Sequence, residues 1–343
     1  MIDLRSDTVT RPTPEMYRAM QEAPLGDDVL GDDPTVTELQ ETAARMLGME
    51  ASLYVPSGTM GNQAGLATHC RPGDAAIFES QAHMLYYEVG APAAIAGVVS
   101  WTIETDNGVM PPEKVRAAIT KRSIHTPGTR VLCLENTHNR HGGTVIPIEV
   151  LKQYREIADE AGLVIHMDGA RVFNAAVALG IDIEQITRHV DSISICLSKG
   201  LRAPVGSILL GKRGFIEEAA YWRKRLGGGM RQSGILAACG LISLKKYVDR
   251  LVEDHENARR LAVALSPLPG LRVDLEKLQT NILMVETDEP AETWVQRLAE
   301  KGVSCLPMAS HRLRLVTHAD VDAANIERAI EAFQELCKAT ASP

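Results

Sequence analysis

The sequence predicts an α/β protein, a large and mostly parallel sheet clad in helices followed by a smaller C-terminal α+β region. Three observations carry this. Short apolar runs of strand length recur at 75–78, 98–103, 131–135, 163–167, 192–197 and 205–210, mostly separated by helical segments such as 147–161. Such alternation is the mark of parallel strands joined by helical crossovers. At 343 residues the chain exceeds what one small core needs, which favours two domains. After a long helical stretch, 233–265, the pattern changes over 271–333 to two or three strands with helices.

Taken in order, residues 2–12 are extended in character and Pro14 opens a helix behind Thr13. Gly26 to Pro34 is too rich in Gly and Asp to be core, and 35–47 has helical apolar spacing. A short strand at 52–57 runs into Gly58-Thr-Met-Gly-Asn-Gln63 and an apolar helix. That strand, glycine turn and helix start expose backbone N–H groups at the positive end of a helix dipole, which favours an anion. Phe215 to Leu226 is a charged helix, and the three glycines at 227–229 stop it. The expected division is an N-terminal segment 1–14, a large domain 15–248 and a small domain 249–343. There is no internal repeat.

Composition narrows the function. Apolar residues are 45% and charged residues 23%, both near globular averages. A net charge of −8 with no basic tract argues against nucleic acid. No apolar run reaches the roughly 18 residues of a membrane helix. The six cysteines are scattered without metal spacing, no metal ligand set is assigned, and no signal peptide precedes Met1. These features predict a cytoplasmic enzyme with reduced thiols.

Two strand ends carry the chemistry. Lys199 follows the run 192–197 and Asp168 ends the run 163–167. Either alone reads as a turn: Lys-Gly as a solvated ammonium, Asp as a helix cap. Together, at the carboxyl ends of two strands of one open sheet, they converge on a single crevice. A partly desolvated lysine amine can attack an aldehyde to form a Schiff base, and a buried carboxylate can keep a pyridine nitrogen protonated. That combination points to pyridoxal 5'-phosphate.

The motifs Ile2-Asp-Leu-Arg-Ser-Asp-Thr-Val-Thr10, Gly26-Asp-Asp-Val29, Pro56-Ser-Gly-Thr-Met-Gly-Asn62, Glu135-Asn-Thr-His-Asn139, His166-Met-Asp-Gly-Ala-Arg171, Cys196-Leu-Ser-Lys-Gly200, Ala203-Pro-Val-Gly-Ser207, Gly227-Gly-Gly-Met-Arg-Gln232 and Leu313-Arg-Leu-Val-Thr-His318 occur in that order over nearly the whole chain. In this set the sequence resembles the low-specificity and L-allo-threonine aldolases. The resemblance implies the fold type I architecture of pyridoxal phosphate enzymes, related to aspartate aminotransferase. It also implies cleavage of β-hydroxy-α-amino acids to glycine and an aldehyde, in an active site to which residues 1–14 contribute. By the same resemblance Lys199 forms the Schiff base, Asp168 pairs with the pyridine nitrogen, and His83 stacks on the ring. Gly58 and Thr59 cradle the phosphate, while Lys224 and Arg231 reach a neighbouring subunit's phosphate in a homotetramer. Arg171 holds cofactor or substrate, and Ser6 and Arg314 clamp the substrate carboxylate. His83 and His125 are candidates for the base that takes the β-hydroxyl proton, an ordered water being the alternative. The sequence departs from the family pattern at Leu30, where tyrosine is common, at Thr126, where an aromatic residue is common, and at Arg202, where a small residue is frequent. The nearest alternative is another lyase of the same cofactor and fold acting on a different amino acid; a non-catalytic binding protein on this fold is the rival from another class.

Overall fold

A computed structural model describes residues 1–340. Its largest sheet has seven strands: β2 (Ala51–Val55), β3 (Ala75–Glu79), β4 (Val99–Ile103), β5 (Thr129–Glu135), β6 (Val164–Asp168), β7 (Ser192–Cys196) and β8 (Ser207–Gly211). Their spatial order is β2-β8-β7-β6-β5-β3-β4, and every pair is parallel except the two made by β8. The reversal has a local cause. Only residues 197–206, with no helix among them, separate β7 from β8, too short a link for the helical crossover that a parallel return needs. Lys199 lies in this return.

Three of the interior strands, β3, β7 and β8, are buried throughout, as expected where helices cover both faces. The helix Pro34–Met46 begins as the loop composition predicts, with Asp33 capping the N–H groups of Thr35 and Val36. Thr13 likewise caps the helix Pro14–Glu22.

The second core is built on a four-stranded antiparallel sheet of β9 (Leu271–Arg272), β10 (Ile282–Thr287), β12 (Leu306–Ala309) and β13 (Arg312–Val316), backed by the helices Leu251–Leu265, Ala291–Glu300 and Ala323–Thr340. The N-terminal β1 (Ile2–Asp3) pairs with β11 (Val303–Ser304), and Ile2 and Leu4 pack into this smaller core. From there the chain turns toward the large sheet, so that Thr10 Oγ1 donates to the carbonyl of Lys199 at 2.8 Å.

The single helix predicted for 233–265 is instead interrupted. It runs as Gly234–Ile242, widens to a π-turn at Ser243–Tyr247, and restarts at Leu251. Ala237, Cys239 and Leu241 pack in the large core while Leu261, Ala262 and Leu265 pack in the small one. Leu244 and Leu251 on either side of the restart still pack in the large core, so the passage to the small core falls within the helix Leu251–Leu265. Among the described residues no helix is long and apolar enough to cross a membrane.

Candidate active site

Parallel strands deliver their carboxyl ends to one rim. Glu135, Asp168 and Ser194 are register partners across β5, β6 and β7. Asp168 is buried; its Oδ1 accepts from the N–H of Ala170 at 3.1 Å and its Oδ2 from Asn62 Nδ2 at 2.9 Å. Lys199, half-buried, donates from Nζ to Cys196 Sγ at 3.5 Å. Burial pushes the Asp168 carboxyl up, but the nearby charges of His83 and Lys199 and those hydrogen bonds outweigh it and hold the group ionised, below its ordinary value.

His83 opens the short helix Ala82 caps, His83–Tyr86, and its backbone N–H donates to Glu135 Oε2 at 2.6 Å. Its ring nitrogen Nδ1 lies 3.1 Å from Glu88 Oε1 and 3.7 Å from Asp168 Oδ2. Burial pushes this imidazole down, while Glu88, Asp168 and Glu135 together raise it above the ordinary histidine value. Glu88 is itself buried and accepts from Asn62 Nδ2 at 2.8 Å and from Gln63 Nε2. Asn62 and Gln63 belong to the helix Gly58–His69, so the helix behind the glycine turn also fixes the acids of the site.

Two arginines divide between structure and binding. Arg171 is buried and locked to Asp7 through two parallel bonds, Nε to Oδ2 and Nη2 to Oδ1, both 2.7 Å. Burial pushes Asp7 up, yet Arg171, Lys199 and Arg314 hold its carboxyl well below the usual carboxylate range. Arg314 has no carboxylate partner. Its Nη2 reaches Ser6 Oγ at 3.5 Å, its Nε is buried without a hydrogen bond, and burial followed by Arg171 pulls the guanidinium down to about 10. A buried guanidinium with an idle N–H is a receptor for a planar anion.

The glycine turn is close-packed. A Cβ on Gly58 would stand 2.8 Å from Cys196 Sγ, so only glycine brings the helix start this near to the end of β7. Thr59 follows it in the first turn of a helix capped by Ser57. A half-buried lysine, an ionised buried aspartate, a helix N-terminus and an unsatisfied arginine gathered on one rim suit a flat phosphorylated aldehyde and an amino acid carboxylate.

Residues 3–289 match the beta-eliminating lyase family. The chain is 42% identical over 343 residues to the probable low-specificity L-threonine aldolase 2 of Arabidopsis thaliana, covering 98% of this chain and 97% of that protein. It is 46% identical to the low specificity L-threonine aldolase of Escherichia coli K12, covering 94% and 95%. The chain belongs to the threonine aldolase group of the beta-eliminating lyase family. The threonine aldolase of Leishmania major superposes with a TM-score of 0.84 at 19% identity, covering 98% of this chain and all of that one, which bears on the fold.

Within the family frame, not every predicted residue meets the others. His125 lies on an exposed loop that leads into the amino end of β5. Asp168 is at the carboxyl end of the adjacent β6, and the seven residues of β5 span about 20 Å. His125 therefore stands at the opposite end of β5 from the rim that carries Asp168 in its own chain. Lys224 is exposed, and Arg231 is bound to Asp27 Oδ2 at 3.0 Å; the buried base of that helix is Arg223, held by Asp28 at 2.8 Å and by the carbonyl of Tyr54. Arg171 contacts Asp7 and Asn139.

Leu30 is solvent-exposed in the Gly/Asp loop. Arg202 adopts φ 70°, a left-handed backbone that explains why a small residue is frequent there. Its side chain offsets that cost with Asp320 and the carbonyl of Arg11. Asp7, Asn62, Glu88 and Glu135 were not singled out by sequence reasoning. Asp7 stands beside Ser6 in a motif that was recognised, and its partner Arg171 is 164 positions away. Glu88 has no signal in the sequence.

Proposed function

We propose that this protein uses pyridoxal 5'-phosphate to cleave L-threonine, L-allo-threonine and related β-hydroxy-α-amino acids reversibly to glycine and an aldehyde such as acetaldehyde. The observation that carries this reading is the meeting of Lys199 and Asp168 on one rim, beside an Arg314 whose buried guanidinium lacks a carboxylate partner and keeps its Nε idle. When bound, the cofactor supplies an electron sink for the Cα–Cβ bond pair.

The chain's own groups do the rest. Lys199 provides the amine that holds the aldehyde carbon, and ionised Asp168 holds a proton on the ring nitrogen. Gly58 and Thr59 offer the helix start to the phosphate. Arg314 and Ser6 take the substrate carboxylate, with Arg171 kept in place by Asp7. Held at one end, the substrate has its Cα–Cβ bond oriented for cleavage. His83, kept basic by Glu88, is the imidazole positioned to take the β-hydroxyl proton. Lys224 and Arg231, exposed on one face, are assigned to a neighbouring subunit's phosphate in a homotetramer. Buried cysteines scattered along the chain accord with a cytoplasmic enzyme.

The test is incubation with pyridoxal phosphate and each of L-threonine, L-allo-threonine and their D-isomers, with acetaldehyde and glycine quantified. Both products from the L-isomers are expected, and Lys199→Ala is expected to lose the cofactor's visible absorbance together with activity. Turnover of tyrosine, tryptophan or cysteine without glycine release from threonine would replace this reading with a β-eliminating one.

A further inference from the structure

Behind the rim lies a second group of ligating side chains that the aldolase reading does not use. Glu79 ends β3, and β5, its parallel neighbour, leads into the turn that carries His138 and His141. His138 Nε2 stands 2.9 Å from Glu79 Oε2, and His141 Nε2 stands 3.5 Å from Glu79 Oε1. The ligand atoms of all three lie within 4.8 Å of one another, with the two imidazoles edge to face at 4.7 Å.

We propose that Glu79, His138 and His141 bind a divalent first-row metal ion of the zinc type. Two imidazoles and one carboxylate are a donor set suited to such an ion. Its spacing also fits. Two ligands about 2.1 Å from a tetrahedral ion stand about 3.4 Å from each other, so the observed separations need adjustments of about half an ångström.

The surroundings are those of a built site. Side-chain exposure is 1% for His138, 3% for Glu79 and 12% for His141, and His141 Nε2 is buried with no hydrogen-bond partner. Glu79 is oriented by other donors: Thr105 Oγ1 at 3.0 Å and Ser80 Oγ at 3.1 Å on Oε1, and the N–H of Gln81 at 2.6 Å on Oε2. Outer contacts of this kind fix a ligating carboxylate before the metal arrives. There is also a way in. His141 lines a cavity of about 260 Å³ between this turn and the small domain, whose wall carries both acidic and basic side chains, Asp106 and Asp274 among the former and Arg140 and Lys277 among the latter. Gly142 and Gly143, at φ 77° and 74°, give the turn its shape directly after His141.

The site touches the active rim at one point. Glu135 Oε2, 3.7 Å from His138 Nε2, is the atom that accepts the backbone N–H of His83. A bound cation would brace the ends of β3 and β5 on which that loop rests.

The experiment uses full-length, untagged protein loaded with pyridoxal phosphate, so that the separate group His83, Glu88 and Asp168 is covered, and stripped of metal with a chelator. Zn²⁺ alone and Co²⁺ alone are titrated by calorimetry and by visible absorption. One equivalent per chain with micromolar or tighter affinity is expected, with ligand-field bands from Co²⁺. In His141→Ala the affinity should fall at least tenfold and the Co²⁺ bands should vanish. Glu79→Gln should do the same, and should it fail to fold, His141→Ala, on a turn rather than a strand, decides alone. Zn²⁺ binding equal in the parent and His141→Ala proteins, or absent from both, overturns the proposal and leaves His138 and Glu79 as a buried ion pair.

Discussion

Replacing Asp7 by asparagine tests whether the substrate clamp rests on a buried ion pair. Asp7 and Arg171 are both almost fully enclosed and share two bonds of 2.7 Å. Asparagine keeps the shape and one acceptor but removes the charge. Breaking a buried pair from one side costs about 3–5 kcal/mol, because the remaining ion is left uncompensated. Here the penalty is sharpened by position, since Arg171 already depresses Arg314 and would then face it with no carboxylate between them. The loss should appear as a lowered urea midpoint in circular dichroism at fixed protein concentration, which matters because subunit association adds to apparent stability. Asp7→Asn combined with Arg171→Met removes both charges and should recover most of the loss, an interaction that a double-mutant cycle isolates. A single variant within about 1 kcal/mol of the parent, or a double variant no more stable than the single, would refute the assignment.

Arg314→Ala removes a charge-assisted contact to the substrate carboxylate worth about 1.5–3 kcal/mol, so kcat/KM for L-threonine should fall roughly 10-fold to 150-fold; an unchanged value moves the carboxylate elsewhere. Glu88→Gln withdraws the principal group raising His83, so the His83 imidazole, followed by carbon-13 NMR, should titrate at lower pH than in the parent; the same midpoint in both would dismiss Glu88 as its support. Buried His166 and half-buried His69 and His255 are pushed down by desolvation to about 4, 3 and 4, so the fold favours their neutral forms. Their contribution is complete above pH 6.5 and is lost as pH falls toward those values, at up to about 1.4 kcal/mol per pH unit for each. Asp254, raised to about 6 by burial, acts in the opposite sense but is one group against three. Urea midpoints should therefore drop between pH 6.5 and 4.5, and a flat profile there would contradict the burial of these imidazoles.

What the sequence revealed follows from how local each signal is. Strand-length apolar runs and the glycine turn at Gly58 are written in consecutive residues, so the large sheet and its strand ends at Asp168 and Lys199 were legible. The reversed β8 was legible only in part: the run 205–210 was visible, but its direction depends on the short return after β7. The helix break after Ile242 has no proline to mark it, and Leu241, Leu244 and Leu251, in and beside the π-turn, all pack in the large core. His125 lies in the loop before β5, at the end of that strand opposite Glu135, a placement that residue type alone does not reveal.

The acids that tune the site were hidden for a related reason. Glu88 matters because Asn62 and Gln63 reach it from a helix more than twenty positions earlier, and Asp7 because Arg171 reaches it from 164 positions away. A carboxylate buried with its partners is nearly indistinguishable, in one sequence, from a carboxylate in solvent. Pairing also decides function among like residues. Arg171 and Arg314 are both buried, yet one already has its carboxylate and the other does not. Only the second, held by Ser6 alone and with its Nε idle, has charge to give to a ligand, which is why the proposed function assigns the substrate carboxylate to Arg314.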